Sequence, residues 1–422
     1  MVTSSSAARV ATEHQPLDVT RVASNDIPPL VSTARSLTAL IVVPTLQAGA
    51  SDAGAVALVR ILANAGHRTI VVSSGGRLTS EAEAAGATCI TLNVASRNPI
   101  AMLRNAFALK RIIDERHCDL VHAHGRAAAW SSYFAARMTG VPLITTWYKG
   151  FREQNGFKRL YNSAMVRGVR VIAVSDQIAE LINERYGTPW ERIAVVPASV
   201  DLERFDPSAV SREQIDAVRR GWGVGPNERV ILVAGRMLRR KGHHVVIDAA
   251  RRLKAMGLKD FVCVFASEDQ GTRYAGELWD RVLTTETSDV IRMTGALSDP
   301  PAAYAAAAVV VSAAVQPEGL QRALLEAQAM ARPVVVSDLG AGPDVVLAPP
   351  TVPDDRTTGL KFSAGDDAAL AATLVRLFSM SDPIRNAIGA RGRAWVLGHF
   401  NGPTVAELTL NLYAEVARPP IA

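Results

Sequence analysis

The sequence predicts an α/β protein made of two doubly wound, Rossmann-like domains that face each other across a cleft. Three observations lead there. At 422 residues the chain exceeds the roughly 250–300 residues that one core organises. Two successive series of short apolar runs alternate with amphipathic stretches, and a polar break around Pro197–Pro207 separates them. Apolar residues make up 48% and charged residues 20%, enough to fill two cores and too apolar for a disordered chain.

The first series holds Ala39–Pro44, Thr69–Ser73, Cys89–Leu92, Leu120–Ala123, Pro142–Thr146 and Val171–Val174. Each is short, mostly apolar and often β-branched, as expected of parallel strands covered on both faces. Segments such as Met102–Glu115 supply the amphipathic helices between them. After the break comes a polar helix, Arg212–Gly221. The second series follows at Arg229–Ala234, Phe261–Ala266, Val290–Met293, Val309–Ser312 and Pro333–Ser337. A last helix, Val405–Val416, follows the break at Asn401–Pro403 and is expected to cross back to the first domain. The divisions expected are a flexible arm over 1–35, rich in Ser, Thr and Ala; an N-terminal acceptor domain over 36–205; a C-terminal donor domain over 206–400; and the returning helix within 401–422.

The net charge of +6 suits an anionic substrate, a membrane surface or nucleic acid and does not decide between them. Basic residues are dispersed among acidic ones, which argues against nucleic acid. Cys89, Cys118 and Cys263 are scattered, so a reducing compartment is expected and a structural zinc site is not. No signal pattern or membrane-length apolar run occurs, and Glu13, Asp18 and Asp26 count against a transit peptide, so the expected location is the cytoplasm.

Ligands of doubly wound sheets bind beyond the carboxyl ends of the strands. After Arg229–Ala234 comes Gly235-Arg236-Met237-Leu238-Arg239-Arg240-Lys241-Gly242, where a glycine releases the strand and Arg236 and Lys241 are placed to hold a diphosphate at a helix amino end. After Val309–Ser312 comes Glu318-Gly319-Leu320-Gln321, with Glu326 on the following helix. Two carboxylates so placed accept the paired hydroxyls of a sugar and a ribose. His122 and His124 end the strand at Leu120, on one face of it. No third ligand accompanies them, so no metal is expected. They are either structural or a polar, acid–base group facing the cleft, with Arg126 just beyond. The turn Gln47–Gly54 lacks the G-x-G-x-x-G spacing, so no dinucleotide cofactor is expected; Gly49 lies either in an acceptor pocket or in a mobile loop.

Taken together, these motifs resemble the retaining GT-B glycosyltransferases of family four, from about Leu37 to Val416. Gly235-Arg236 through Lys241-Gly242 matches that family's donor-phosphate element. Glu318 to Glu326 matches its E-x7-E motif, and Ser337–Gly342 and Thr358-Gly359-Leu360 match its next two landmarks. Within the family the chain is most similar to bacterial enzymes of lipopolysaccharide and other surface-glycan synthesis. The resemblance implies a hexosyltransferase using a UDP- or GDP-sugar, without a metal, on a glycan or lipid-linked acceptor. It implies that Arg236 and Lys241 hold the leaving diphosphate, Glu318 the transferred sugar, and Glu326 the ribose. His122 or His124 would meet a donor-sugar hydroxyl, and Gly319, Leu320 and Gln321 would complete the grip. Gln321 stands where the family has glycine, Ala331 replaces another glycine, Asp344 replaces glutamate, and Ala198-Ser199 replaces Asn-Gly. These departures motivate one alternative, a weakened sugar-nucleotide-binding relative. A second is a GT-B epimerase, which shares the architecture but over which the E-x7-E and Gly-Arg–Lys-Gly elements favour transfer. Finally, aromatic and basic residues interleave from Trp147 through Arg152 to Tyr161, a composition that suits contact with the inner membrane.

Overall fold

The computed structural model describes residues 35–47, 49–150, 155–340 and 342–417. All of the expected N-terminal arm except Arg35, together with Phe151 and Arg152 of the aromatic-basic run and Ala341 of the Ser337–Gly342 motif, lies outside them.

The first series forms seven strands: β1 (Thr38–Val42), β2 (Arg68–Ser73), β3 (Ala87–Thr91), β4 (Leu120–His124), β5 (Leu143–Trp147), β6 (Arg170–Ala173) and β7 (Ile193–Val195). The second forms six: β8 (Arg229–Ala234), β9 (Phe261–Ala266), β10 (Ile291–Thr294), β11 (Val309–Ser312), β12 (Val334–Ser337) and β13 (Gly359–Phe362). Every pairing is parallel, in the orders β3-β2-β1-β4-β5-β6-β7 and β10-β9-β8-β11-β12-β13. Two Rossmann-like sheets were expected and two are present. In each sheet the strand order reverses beside its first strand, between β1 and β4 and between β8 and β11. Chain leaving two such strands diverges to opposite faces and opens a crevice there. Each crevice is therefore dictated by topology, and both candidate regions lie on one.

Two strands escape the sequence patterns. β7 is only Ile-Ala-Val, and β13 reads Gly-Leu-Lys-Phe. Both lie at sheet edges, where a full apolar run is not required. Asn401–Pro403, read from the sequence as a break, is a helix start. The Asn401 side chain accepts from the Thr404 amide at 2.7 Å, and proline tolerates the first turn. The helix Gly402–Val416 buries Leu412 and Tyr413 against Ala39, Ile41 and Leu120 of the N-terminal sheet, and Glu415 pairs with Arg170. The chain thus passes between the halves twice, and the Val200 amide donates to the Phe400 carbonyl at 2.9 Å where the two passages meet.

Candidate functional site

On the C-terminal side, β8 ends at Ala234 and is followed by Gly235, whose φ of 132° suits glycine. The loop then delivers three consecutive cations and turns at Gly242. There φ is 71°, and an added Cβ would lie 1.7 Å from the Ala313 carbonyl oxygen. That close approach presses the basic loop against the segment leaving β11. It brings Arg240 Nε to 2.6 Å from Glu318 Oε1 and Lys241 Nζ to 2.5 Å from Glu318 Oε2. Glu318 is only 8% exposed and its two oxygens are divided between two cations. Arg240 is the residue sequence reasoning missed. It was one of three adjacent basic side chains, and nothing local distinguished the one turned toward Glu318. Arg236 is exposed and pairs with Asp269 at 3.1 Å.

Glu326 sits in the second turn of the helix Arg322–Ala329. Its Oε2 accepts from Tyr304 Oη at 2.8 Å, Arg322 lies 3.7 Å away, and burial raises its pKa. Gln321 does not enter the cleft. It is buried at the helix start, its side-chain oxygen accepts from Ser312 Oγ on β11, and its Nε2 has no protein partner among the described residues. Gln321, Ser312, Lys241 and His243 border a cavity of about 10 Å³, room for one water. The Gln321 side chain therefore turns toward Ser312 and the small cavity beside Lys241, within its own domain.

On the N-terminal side the two histidines separate. His122 is buried and uses both ring nitrogens, each at 2.7 Å, one to Tyr413 Oη of the returning helix and the other to Thr146 Oγ1. Burial drives its pKa well down, so the ring is neutral. It ties the last helix to the sheet and is not free to meet a sugar. His124 is also buried, with a pKa of about 3 set chiefly by desolvation. Its Nδ1 lies 2.7 Å from Tyr148 Oη, and its Nε2 has no protein partner among the described residues. Of the pair, only His124 keeps an uncommitted ring nitrogen.

The β1 loop is held rather than loose. Asp52, buried at the start of the helix Ala50–Asn64, accepts from the Gln47 amide at 2.9 Å, the Gly49 amide at 3.1 Å and Thr45 Oγ1 at 3.1 Å. Gly49 thus serves the turn, and the neighbouring Ser51 lines a cavity of about 280 Å³. Arg97, Arg126, Thr146, Tyr148, Lys149 and Tyr161 also border that cavity. Arg126 donates to Asn162 Oδ1 at 3.0 Å, with its guanidinium 5.3 Å from the Tyr161 ring centre. The aromatic-basic run divides accordingly. Trp147 is fully buried and donates to the Met165 carbonyl at 2.8 Å, which removes it from any surface contact, while Phe157 and Leu160 are exposed.

The two sides meet at Gly319. A Cβ there would stand 1.8 Å from the Tyr148 carbonyl oxygen, and Leu320 packs against apolar residues of both halves. A second contact lies at Asp344, whose Oδ2 accepts from the Gln177 amide at 3.3 Å, across from the donor side. Desolvation raises its pKa from 3.8 to about 6; Ser175 and the Gln177 amide oppose the shift, and Asp176 and Glu180 add to it. A carboxyl whose folded pKa lies above its unfolded value contributes stability that is complete below about pH 4 and lost as pH rises through about 6. Asp344→Asn is therefore expected to flatten that decline and to raise Tm at pH 7 relative to pH 4.5. Thermal unfolding of both proteins across this window checks it, and parallel profiles would count against the assignment.

Among the described residues no group of three or more His, Cys, Asp or Glu side chains converges as a metal site, and no helix is long and apolar enough to cross a membrane.

Two facing Rossmann-like domains with a basic loop and a buried glutamate at the second switch point define the GT-B class of glycosyltransferase. Residues 53–204 match the family Glycosyltransferase Family 4, and residues 228–380 match Glycosyl transferases group 1. The chain belongs to this group 1, family four set of glycosyltransferase enzymes. It is 28% identical over 346 residues to a D-inositol 3-phosphate glycosyltransferase of Kineococcus radiotolerans, covering 72% of this chain and 73% of that protein. It is 24% identical over 329 residues to the UDP-Gal:alpha-D-GlcNAc-diphosphoundecaprenol alpha-1,3-galactosyltransferase of Escherichia coli, covering 74% and 80%. A solved glycosyltransferase from Rickettsia africae superposes with a TM-score of 0.82 at 28% identity, over 91% of this chain and 99% of that one.

Proposed function

We propose that the chain is a retaining, metal-independent hexosyltransferase that takes its sugar from a UDP- or GDP-hexose and delivers it to a glycan or lipid-linked acceptor. Its proposed setting is lipopolysaccharide or exopolysaccharide assembly at the cytoplasmic face of the inner membrane, with no cofactor. One observation carries the reading. Glu318 is held between Arg240 and Lys241 on one switch point, and Gly319 brings it against Tyr148, just past β5 of the other sheet.

As the bond from the anomeric carbon to the diphosphate breaks, negative charge grows on the leaving oxygen. Lys241 and Arg240, with Arg236 at the loop's outer end, are the cations that meet it, and fixed charges in a cleft need little reorganisation to do so. Glu318 then holds the hydroxyls of the transferred sugar, and Glu326 those of the ribose. On the opposite wall His124 is buried behind Tyr148, so its Nε2 meets a donor-sugar hydroxyl only if the cleft opens onto it. The UDP-galactose in the Escherichia coli relative's name supports the choice of donor class.

The test is nucleotide binding. Lys241→Ala and Arg236→Ala are each expected to weaken UDP or GDP binding about tenfold or more, the loss of one charge-assisted contact. Saturation-transfer NMR with a set of nucleotide-sugars reads both donor identity and this loss. Unchanged binding in both variants would sink the reading.

A further inference from the structure

We propose that the cavity beyond β1, β4 and β5 is a phosphate subsite, so that the acceptor hydroxyl belongs to a molecule carrying a phosphoryl group beside it. This deepens the transfer reading above and rests on it. At about 280 Å³ the cavity is near the lower end of small-ligand pockets. Its described lining contains Arg97, Arg126 and Lys149 and no carboxylate. A pocket built for neutral sugar hydroxyls is better served by carboxylates and amides, which accept and donate in pairs. Three converging cations with no acid are suited to a phosphate, whose several oxygens accept from all of them.

The surroundings reinforce this. Arg126 is fixed in direction by Asn162 and Tyr161, so its guanidinium needs little ordering when an anion arrives. Lys149 has its pKa lowered by burial and then by Arg240 and Arg126, while Glu318 opposes the shift. A bound phosphate would relieve that strain on the ammonium. Gly125 begins the helix Arg126–Thr139 at the cavity wall and brings no capping side chain, so the first amides of that helix turn the positive end of its dipole to the same space. Ser51 and Thr146 add hydroxyls. Gly319, next to Glu318, lies against the Tyr148–Lys149 wall of this cavity, since an added Cβ would stand 3.4 Å from the Lys149 Cα, and this sets the cavity beside the donor cluster. A phosphate seated here therefore leaves the rest of its molecule facing the sugar to be transferred. The donor's own diphosphate has separate cations, Arg240 and Lys241, on the other sheet.

A soluble sugar phosphate and a polyprenyl diphosphate-linked sugar share this chemistry. The experiment uses the full chain and four proteins: wild type, Arg97→Gln/Lys149→Gln, Arg126→Gln and Lys241→Ala. Both residues of the double variant are exposed, so its fold is expected to survive. Calorimetry compares glucose 6-phosphate with glucose, and sedimentation compares phosphatidylcholine vesicles with and without undecaprenyl diphosphate. At least one phosphate probe is expected to bind wild type and Lys241→Ala alike, and to bind the double variant and Arg126→Gln about tenfold or more weakly. Glucose 6-phosphate binding would mark a soluble acceptor, and vesicle capture a lipid-borne one. The proposal is overturned if neither probe binds, if glucose binds as well as its phosphate, or if the double variant binds undiminished. It is also overturned if Lys241→Ala alone abolishes binding, which would place the anion in the donor loop. Loss of nucleotide binding in Lys241→Ala is read separately, so the donor reading stands or falls by itself.

Discussion

Glu318→Gln is expected to lower turnover by about a hundred- to a thousandfold while nucleotide binding is kept or strengthened. The carboxylate is buried, and its single negative charge is shared between Arg240 and Lys241, offsetting one of their two positive charges. Glutamine keeps its shape and can still accept from a cation, but it removes the negative charge. The two cations then turn their full charge on a diphosphate, so UDP or GDP binds at least as well. What is lost is the charge set against the transferred sugar as positive character builds at its reacting carbon. The signature is a fall in kcat without a rise in KM, measured beside Kd for the free nucleotide. A raised KM at unchanged kcat would make Glu318 a simple binding group. Because Glu318 is buried while Arg240 and Lys241 are partly exposed, some loss of stability accompanies the change, and Tm is recorded on the same preparation.

Gly319→Ala is expected to abolish transfer almost entirely through geometry alone. Its Cβ would meet the Tyr148 carbonyl at 1.8 Å, and a backbone oxygen has no rotamer by which to withdraw. Each half has its own buried core, so the expected outcome is a folded protein whose halves are held apart by the added methyl. Nucleotide should still bind, since Arg240 and Lys241 belong to the donor half alone. Transfer is expected to fall more than about a hundredfold, as misplacement of the reacting groups by about 1 Å suffices for that. Small-angle scattering should show a larger radius of gyration than wild type. Full activity in the variant would mean that the Gly319–Tyr148 contact is not part of the reacting state.

How far the molecule was legible in advance depended on whether a feature was local. Strands such as β8, β9 and β11 declare themselves because both their faces are covered, so nearly every residue must be apolar. β7 and β13 are short edge strands and carry no such signature. The basic loop and Glu318 were visible as a motif, yet the selection of Arg240 over its neighbours depends on how Gly242 seats the loop against Ala313. The histidines show the limit most clearly. Strand alternation places both on one face, but the partner that commits His122 is Tyr413, 291 positions away on the last helix. Trp147 read as part of a surface run, whereas it is the last residue of β5 and continues its buried pattern. The cavity cations come from three separate segments, two loops and the start of a helix, and no local spacing would have joined Arg97, Arg126 and Lys149.

The double passage of the chain between the halves limits how they can move. A single linker would act as a tether, leaving twist, tilt and separation all open. Here the two strands of the crossing are bonded to each other through Val200 and Phe400, with Arg393 also donating to the Phe205 carbonyl at 3.2 Å. Two pins side by side make a door hinge. Two bonded connections are expected to resist sliding and unscrewing more than swinging about one axis. A molecule so mounted is expected to return the same atoms to the same register whenever its mouth widens and closes. On this mounting, Gly319 and Tyr148 are the edge at which the door meets its frame.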